Sequence, residues 1–237
     1  MRTGNTVVGR IERAAMSAIG AFYAVGLIAH LIPSTRPLLM GLTPYVLLIG
    51  GAAVIAGAAS ASRGSMWQLV VWCVLVVLFT FGAEAVGVAT GMVFGRYSYG
   101  EVLGTKILGV PPVIGFNWAL VVLGSVMLAD RFLEALFLRR GERGRVRLIA
   151  VTAVAGLISA LFDLAMEPSA VALGYWSWEG GTIPFRNYVA WFVLSSLAAL
   201  GYRVLRIRSS SPLPIAYLLL QLLFFVGLDV AMPRHTI

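Results

Sequence analysis

Seven runs of apolar residues, near 14–33, 38–59, 67–92, 112–138, 148–172, 187–206 and 212–232, occupy most of this chain. Each has about the 20-residue length that a helix needs to cross the hydrocarbon core of a bilayer. In lipid the backbone can hydrogen-bond only to itself, so such runs fold as helices and pack as a bundle. Composition agrees. Of the 237 residues, 59% are hydrophobic and 12% charged, whereas a soluble domain carries roughly 25% charge. The links between runs are short and leave little room for a soluble domain. The expectation is an all-α, polytopic membrane helix bundle of about seven transmembrane helices, one domain over 1–237.

The first run follows Arg2, Arg10 and Arg13, which resembles the charged start of a signal peptide. Its apolar part is too long for that, and it ends in His30-Leu31-Ile32-Pro33 rather than at a small-x-small cleavage site. A retained first helix is expected. With the N-terminus in the cytoplasm, the inner side receives Arg2, Arg10, Arg13, Arg63, Arg131, Arg139, Arg140, Arg143, Arg145, Arg147, Arg203, Arg206 and Arg208. The outer side receives Arg36, Arg96, Lys106, Arg186 and Arg234. That asymmetry is the positive-inside pattern of a multi-pass protein of the cell membrane, with the C-terminus outside. It explains the net charge of +8 without nucleic acid, and the run from Arg139 to Arg147 reads as a face for lipid headgroups. Cys73 stands alone and is expected in core packing.

In this topology the unusual polar residues fall in the outer half of the bundle. His30 ends the first helix, Glu84 lies in the third, Asp163 and Glu167 in the fifth, and Asp229 in the seventh. Arg96, Tyr97, Tyr99, Trp176, Trp178, Arg186 and Asn187 belong to the loops on that side. Acidic side chains inside the membrane are costly and usually face the interior of a bundle in a functional role. The plain alternative is hydration at the interface, or pairing with Arg96 and Arg186. Gly87, Gly91 and Gly95, spaced by four, read as a small-residue face where helix backbones approach closely, with Glu84 on it. Asp163 and Glu167 share a face, and Pro168 is expected to kink or unwind the helix end.

Two stretches align. Glu84, Gly95-Arg96-Tyr97-Ser98-Tyr99, Val110-Pro111 and Trp118 match Asp163, Gly174-Tyr175-Trp176-Ser177-Trp178, Ile183-Pro184 and Trp191. The acid-to-glycine gap is 11 in both (95 − 84 and 174 − 163), and the proline-to-tryptophan gap is 7 in both (118 − 111 and 191 − 184). Helices 3–4 and 5–6 are therefore expected to form a parallel repeat, with units of about 79–138 and 158–206, related by an axis along the membrane normal. Glu84 and Asp163 would then face one cavity. For the aromatic residues taken singly, an interfacial belt is the alternative.

Absences narrow the chemistry. Two histidines and one cysteine cannot supply the clusters that iron or zinc sites use, and no phosphate-binding glycine loop occurs. The only lysine, Lys106, lies in a loop and cannot hold a buried retinal. No cofactor and no metal are expected. Carboxyl groups in an apolar, aromatic-lined cavity remain. Burial and a neighbouring acid favour the protonated form of a carboxyl, and aromatic faces stabilise a developing cation. These parts suit protonation, isomerisation or hydration of a lipid-soluble alkene, and equally proton-coupled transport.

The motifs Phe94-Gly95-Arg96-Tyr97-Ser98-Tyr99 with Gly109-Val110-Pro111, and Asp163-x3-Glu167-Pro168 with Gly174-Tyr175-Trp176-Ser177-Trp178 and Asn187, resemble a known family. It is the membrane carotenoid-biosynthesis family of the bisanhydrobacterioruberin hydratase and γ-carotene 1,2-hydratase type. The likeness spans roughly 79–191. It implies addition of water to the terminal 1,2 double bond of an acyclic, lycopene-derived C40 or C50 carotenoid, giving a tertiary alcohol without redox cofactor. Two departures bear on the end group recognised. Glu167 stands where the family pattern has Asp, and Thr182-Ile183-Pro184-Phe185 replaces Gly-Val/Ile-Pro-Trp.

The mechanism expected from the resemblance makes Glu84, Asp163 and Glu167 the catalytic carboxyls. Glu84 or Asp163 donates a proton; the partner carboxylate, or Glu167, orients water. Tyr97, Tyr99, Trp118, Trp176, Trp178, Asn187 and Trp191 would bind the substrate, and His30, Arg96, Arg186 and Asp229 would give polar support. Membrane lipid and other carotenoid enzymes are the further partners. The rival readings are a proton-coupled transporter, against which the scarcity of ionisable residues in the inner halves of the helices counts, and a non-catalytic carotenoid-binding subunit.

Overall fold

The computed structural model describes residues 2–62, 64–140 and 144–232. Arg63, Arg143, Arg234 and His235 lie outside the described residues, as do the side chains of Arg2, Arg139 and Arg140.

Seven α-helices follow one another: α1 Arg2–Leu31, α2 Arg36–Ser60, α3 Met66–Thr90, α4 Pro112–Arg140, α5 Arg145–Ala172, α6 Phe185–Val204 and α7 Leu213–Ala231. They match the seven apolar runs closely; α1 begins well before its apolar part. Six of them are long and apolar enough to cross a membrane. The exception is α6, whose 20 residues include Arg186 near the start and Arg203 in the last turn.

The middle of the bundle is α4, which packs on α2, α3, α5, α6 and α7. It is apolar on every side, as a helix surrounded by others must be: Val121, Val122, Leu123 and Val126 are all buried. Three glycines set the closest approaches. A Cβ on Gly115 would come within 2.9 Å of the Val77 carbonyl oxygen on α3. One on Gly124 would come within 2.6 Å of the Pro214 carbonyl on α7, and one on Gly156 within 2.6 Å of the Phe192 carbonyl on α6. Close backbone contact at small residues is how helices gain packing in lipid, where apolar burial gives little. At the α4 C-terminal end, Asp130 accepts from Arg147 of α5 and Arg203 of α6, each at 2.9 Å.

The sequence reading of Gly87, Gly91 and Gly95 as one helical face is corrected. Only Gly87 lies within the interior of α3. Gly91 caps the helix in the left-handed conformation, φ +66°, and Gly95 follows in the loop at φ +125°. Gly87 makes room for side chains of the returning chain: its missing Cβ would meet Phe94 at 2.5 Å and the Tyr97 hydroxyl at 3.4 Å. Pro168 does not unwind α5, which stays helical to Ala172.

The loops after α3 and α5 carry the aromatic motifs. They pair as two short antiparallel strands, β1 Tyr97–Tyr99 and β2 Trp176–Trp178. The register sets Tyr97 opposite Trp178, Ser98 opposite Ser177 and Tyr99 opposite Trp176. Backbone bonds from Gly100 to Tyr175 and from Glu179 to Arg96 extend the ladder. Side chains alternate across a strand, so the aromatic rings turn inward and the two serines outward. This patch closes the end of the bundle opposite Asp130.

Candidate active site

Beneath the strand pair lies a cavity of about 200 Å³. It receives Glu84 from α3, Asp163 and Glu167 from α5, Asn187 and Trp191 from α6, Trp118 from α4, and all four strand aromatics. His30 reaches it from α1. These are residues that the sequence singled out from distant positions. Arg96 and Arg186 are exposed and do not line the cavity, and neither does the half-buried Asp229.

The acidic residues are deeply covered, Glu84 4%, Asp163 1% and Glu167 2% exposed, so interfacial hydration does not account for them. Among the described residues none of the three forms an ion pair; Arg96 pairs instead with Glu179 on the surface. Each is held by neutral donors. Glu84 accepts from the Tyr97 hydroxyl. Glu167 accepts on one oxygen from the indole N–H groups of Trp176 and Trp178, both at 3.0 Å, and on the other from the Asn187 amide at 3.3 Å. The same Asn187 nitrogen donates to Asp163 at 2.6 Å. Since an indole N–H can only donate, Glu167 acts as the acceptor that fixes both rings. Its position four residues after Asp163 puts both carboxyls within reach of one amide.

Aromatic rings make the rest of the wall. Trp118 and Trp191 stack with centroids 3.4 Å apart, and Phe94 stacks on Trp191 at 4.9 Å. Tyr97 tilts against Trp178 at 5.0 Å, and Tyr99 meets Trp176 edge-on at 5.8 Å. Burial, and then the neighbouring Glu84 carboxylate, hold the ionisation of Tyr97 and of Tyr99 well above the ordinary tyrosine range. Both phenols therefore stay protonated and available as donors.

Other lining residues escaped the sequence reading. Asn117 of α4 and Gln221 of α7 exchange amide hydrogen bonds at 3.3 and 2.9 Å. Both are polar residues inside apolar runs, and that signal could have found them. Phe162, Phe224, Phe225, Met166 and Tyr175 complete the interior. His30 Nδ1 lies 2.7 Å from the Gly26 carbonyl, which can only accept; Nδ1 therefore carries the proton, and Nε2 is buried with no hydrogen-bond partner among the described residues. On the α1–α2 side, Phe22 and Leu42 line the cavity while remaining 54% and 44% exposed. They mark its mouth, which opens sideways between two membrane helices. No group of three His, Cys, Asp or Glu suited to a metal ion occurs among the described residues.

The arrangement can move a proton from a carboxyl into an apolar space, and it can shelter positive charge on ring faces. Comparison with known proteins adds the following. A family model described as "Carotenoid biosynthesis protein" matches residues 42–236. Bisanhydrobacterioruberin hydratase of Haloarcula japonica is 33% identical over 132 residues, covering 54% of this chain and 42% of that protein. The match thus spans less than half the length of that relative. No solved structure matches.

Proposed function

The chain belongs to the carotenoid biosynthesis protein family, and from that premise we propose that it is a cofactor-independent carotenoid hydratase. It adds water to the terminal 1,2 double bond of an acyclic end group and leaves a tertiary alcohol, the reaction of a hydro-lyase run in the hydrating direction. The observation that carries this reading is one apolar cavity in which three buried carboxyls, without basic partners among the described residues, stand among four inward aromatic rings. The relative's name as a hydratase supports it. So does the mouth beside Phe22 and Leu42, which suits a lipid-soluble substrate arriving from the bilayer.

In the proposed cycle the protonated carboxyl of Glu84 or Asp163 gives its proton to the less substituted alkene carbon. The π-electron pair forms the new C–H bond and leaves a tertiary cation. Trp176, Trp178, Tyr97 and Tyr99 face that charge. The oxygen of one water molecule bonds to the cationic carbon, and the proton it releases passes to the other carboxylate and from there back to the donor, which restores the starting state. Glu167 is tied by three donors, so its role is to hold the rings and Asn187 in place. Preorganised charges and dipoles of this kind lower a barrier because they need no rearrangement as charge develops.

The same proposal includes seven crossings with the N-terminus in the cytoplasm, and a parallel repeat of α3–α4 and α5–α6. A two-fold axis through Ser98 and Ser177 would exchange Tyr97 with Trp176 and Tyr99 with Trp178, as the sequence alignment does, and the strand register is compatible with it.

Expression in a lycopene-producing host, followed by pigment analysis in water enriched in oxygen-18, tests the function. The expected product is a more polar carotenoid carrying labelled oxygen, with Glu84→Gln and Asp163→Asn variants unable to make it. Pigment bound but unaltered would instead identify a non-catalytic carotenoid-binding subunit.

A further inference from the structure

A second hollow lies behind the strand pair, lined by Thr90, Arg96, Ser98, Ser177 and Glu179. Its character is opposite to that of the main cavity. Ser98 and Ser177 are exposed, and Arg96 and Glu179 pair at 3.7 Å with 76% and 67% of their side chains exposed. Such groups hold water. Tyr97 and Trp178 line both hollows. Their rings, centroids 5.0 Å apart, form the partition between the two. Tyr97 also joins that partition to the chemistry, because its hydroxyl donates to Glu84.

A hydratase consumes one water molecule per turnover. The exposed residues at the mouth of the main cavity are Phe22 and Leu42, which open toward lipid, where a lone water is poorly solvated. Water needs another way in. We propose that the hollow behind β1 and β2 is the water port of this site: a hydrated vestibule from which single water molecules pass the Tyr97–Trp178 partition to the carboxyls. The port rests on the hydratase reading and adds to it a separate route for the second substrate. The isoprenoid enters from the bilayer, and water from the opposite wall.

The port can be plugged reversibly. Ser177→Cys places a thiol in the vestibule and outside the main cavity, and a bulky charged methanethiosulfonate then fills the space. The native thiol, Cys73, is buried, so wild-type protein treated in the same way is the control. Labelled protein should turn over about tenfold or more slowly than the same protein unlabelled, as expected where access limits the cycle. It should still bind lycopene, and a reducing agent should restore the rate. Thr90→Cys, at another point of the same hollow, serves if the first variant does not accumulate. Unchanged turnover in labelled protein overturns the port. Loss of lycopene binding on labelling also overturns it, because the hollow would then be part of the pigment site. A wild-type protein that forms no alcohol defeats the hydratase reading, and the port with it.

Discussion

The indole rings of Trp118 on α4 and Trp191 on α6 lie face to face, centroids 3.4 Å apart and planes 14° from parallel. They are the residues that follow Pro111 and Pro184 by seven positions. Trp191 also stacks with Phe94, so removing it unmakes two stacks at once. Trp191→Ala should cost about 3–5 kcal/mol, the range for loss of a large buried aromatic. Thermal unfolding in detergent should show it as a clearly lower midpoint, with Trp191→Phe recovering most of the difference.

Glu167 is the common acceptor for Trp176, Trp178 and Asn187. A glutamine there offers one acceptor oxygen and one NH2, which must face at least one of those donors. Glu167→Gln should lower turnover by about 100-fold, the scale seen when one preorganised polar contact is lost. Tryptophan fluorescence should shift at the same time, since two indoles lose their acceptor. A variant with native fluorescence and full turnover would remove Glu167 from the positioning role.

Tyr97→Phe keeps the ring in the partition and removes the hydroxyl on Glu84. Turnover should fall about 10- to 100-fold through misplacement of that carboxyl, while KM for the carotenoid changes little. Because burial and Glu84 raise the ionisation of Tyr97, the phenol stays neutral beyond pH of about 10, where a free tyrosine titrates. The wild-type pH profile should therefore lack an alkaline fall from this group.

Asp130 joins α5 and α6 through Arg147 and Arg203, far from the cavity. All three side chains are about a quarter to a third exposed, 26% and 30%, so screening weakens the pairs. Asp130→Asn should cost about 1–2 kcal/mol. The loss should shrink in high salt, and pigment conversion at low temperature should be unaffected.

Helix positions were legible because lipid allows the backbone few alternatives, and long apolar runs can satisfy that demand in few ways. Glu84, Asp163 and Glu167 stood out for the same reason: charge in an apolar run is expensive, so it draws notice. What the sequence concealed depends on the turns. Gly91 and Gly95 keep the four-residue spacing of a helix face, yet a left-handed cap ends the helix between Gly87 and Gly95. Spacing alone cannot register a change of backbone direction. Arg96 was grouped with the site by proximity in sequence, whereas alternation along β1 sends it outward to Glu179. Asn117 and Gln221 were overlooked because each is a single neutral polar residue; their pairing becomes visible only when α4 and α7 lie side by side.

The helix α1 supplies Phe22, Tyr23, Gly26 and His30 to the cavity wall, yet within its apolar stretch little of it is buried by the rest of the bundle. It also precedes the stretch matched by the family model, which starts at residue 42. It packs on α7 and, less extensively, on α2, while the carboxyls sit on α3 and α5 on the far side of the cavity. Relatives that process longer or shorter chains could be made by rebuilding this outer panel and leaving the reacting end alone.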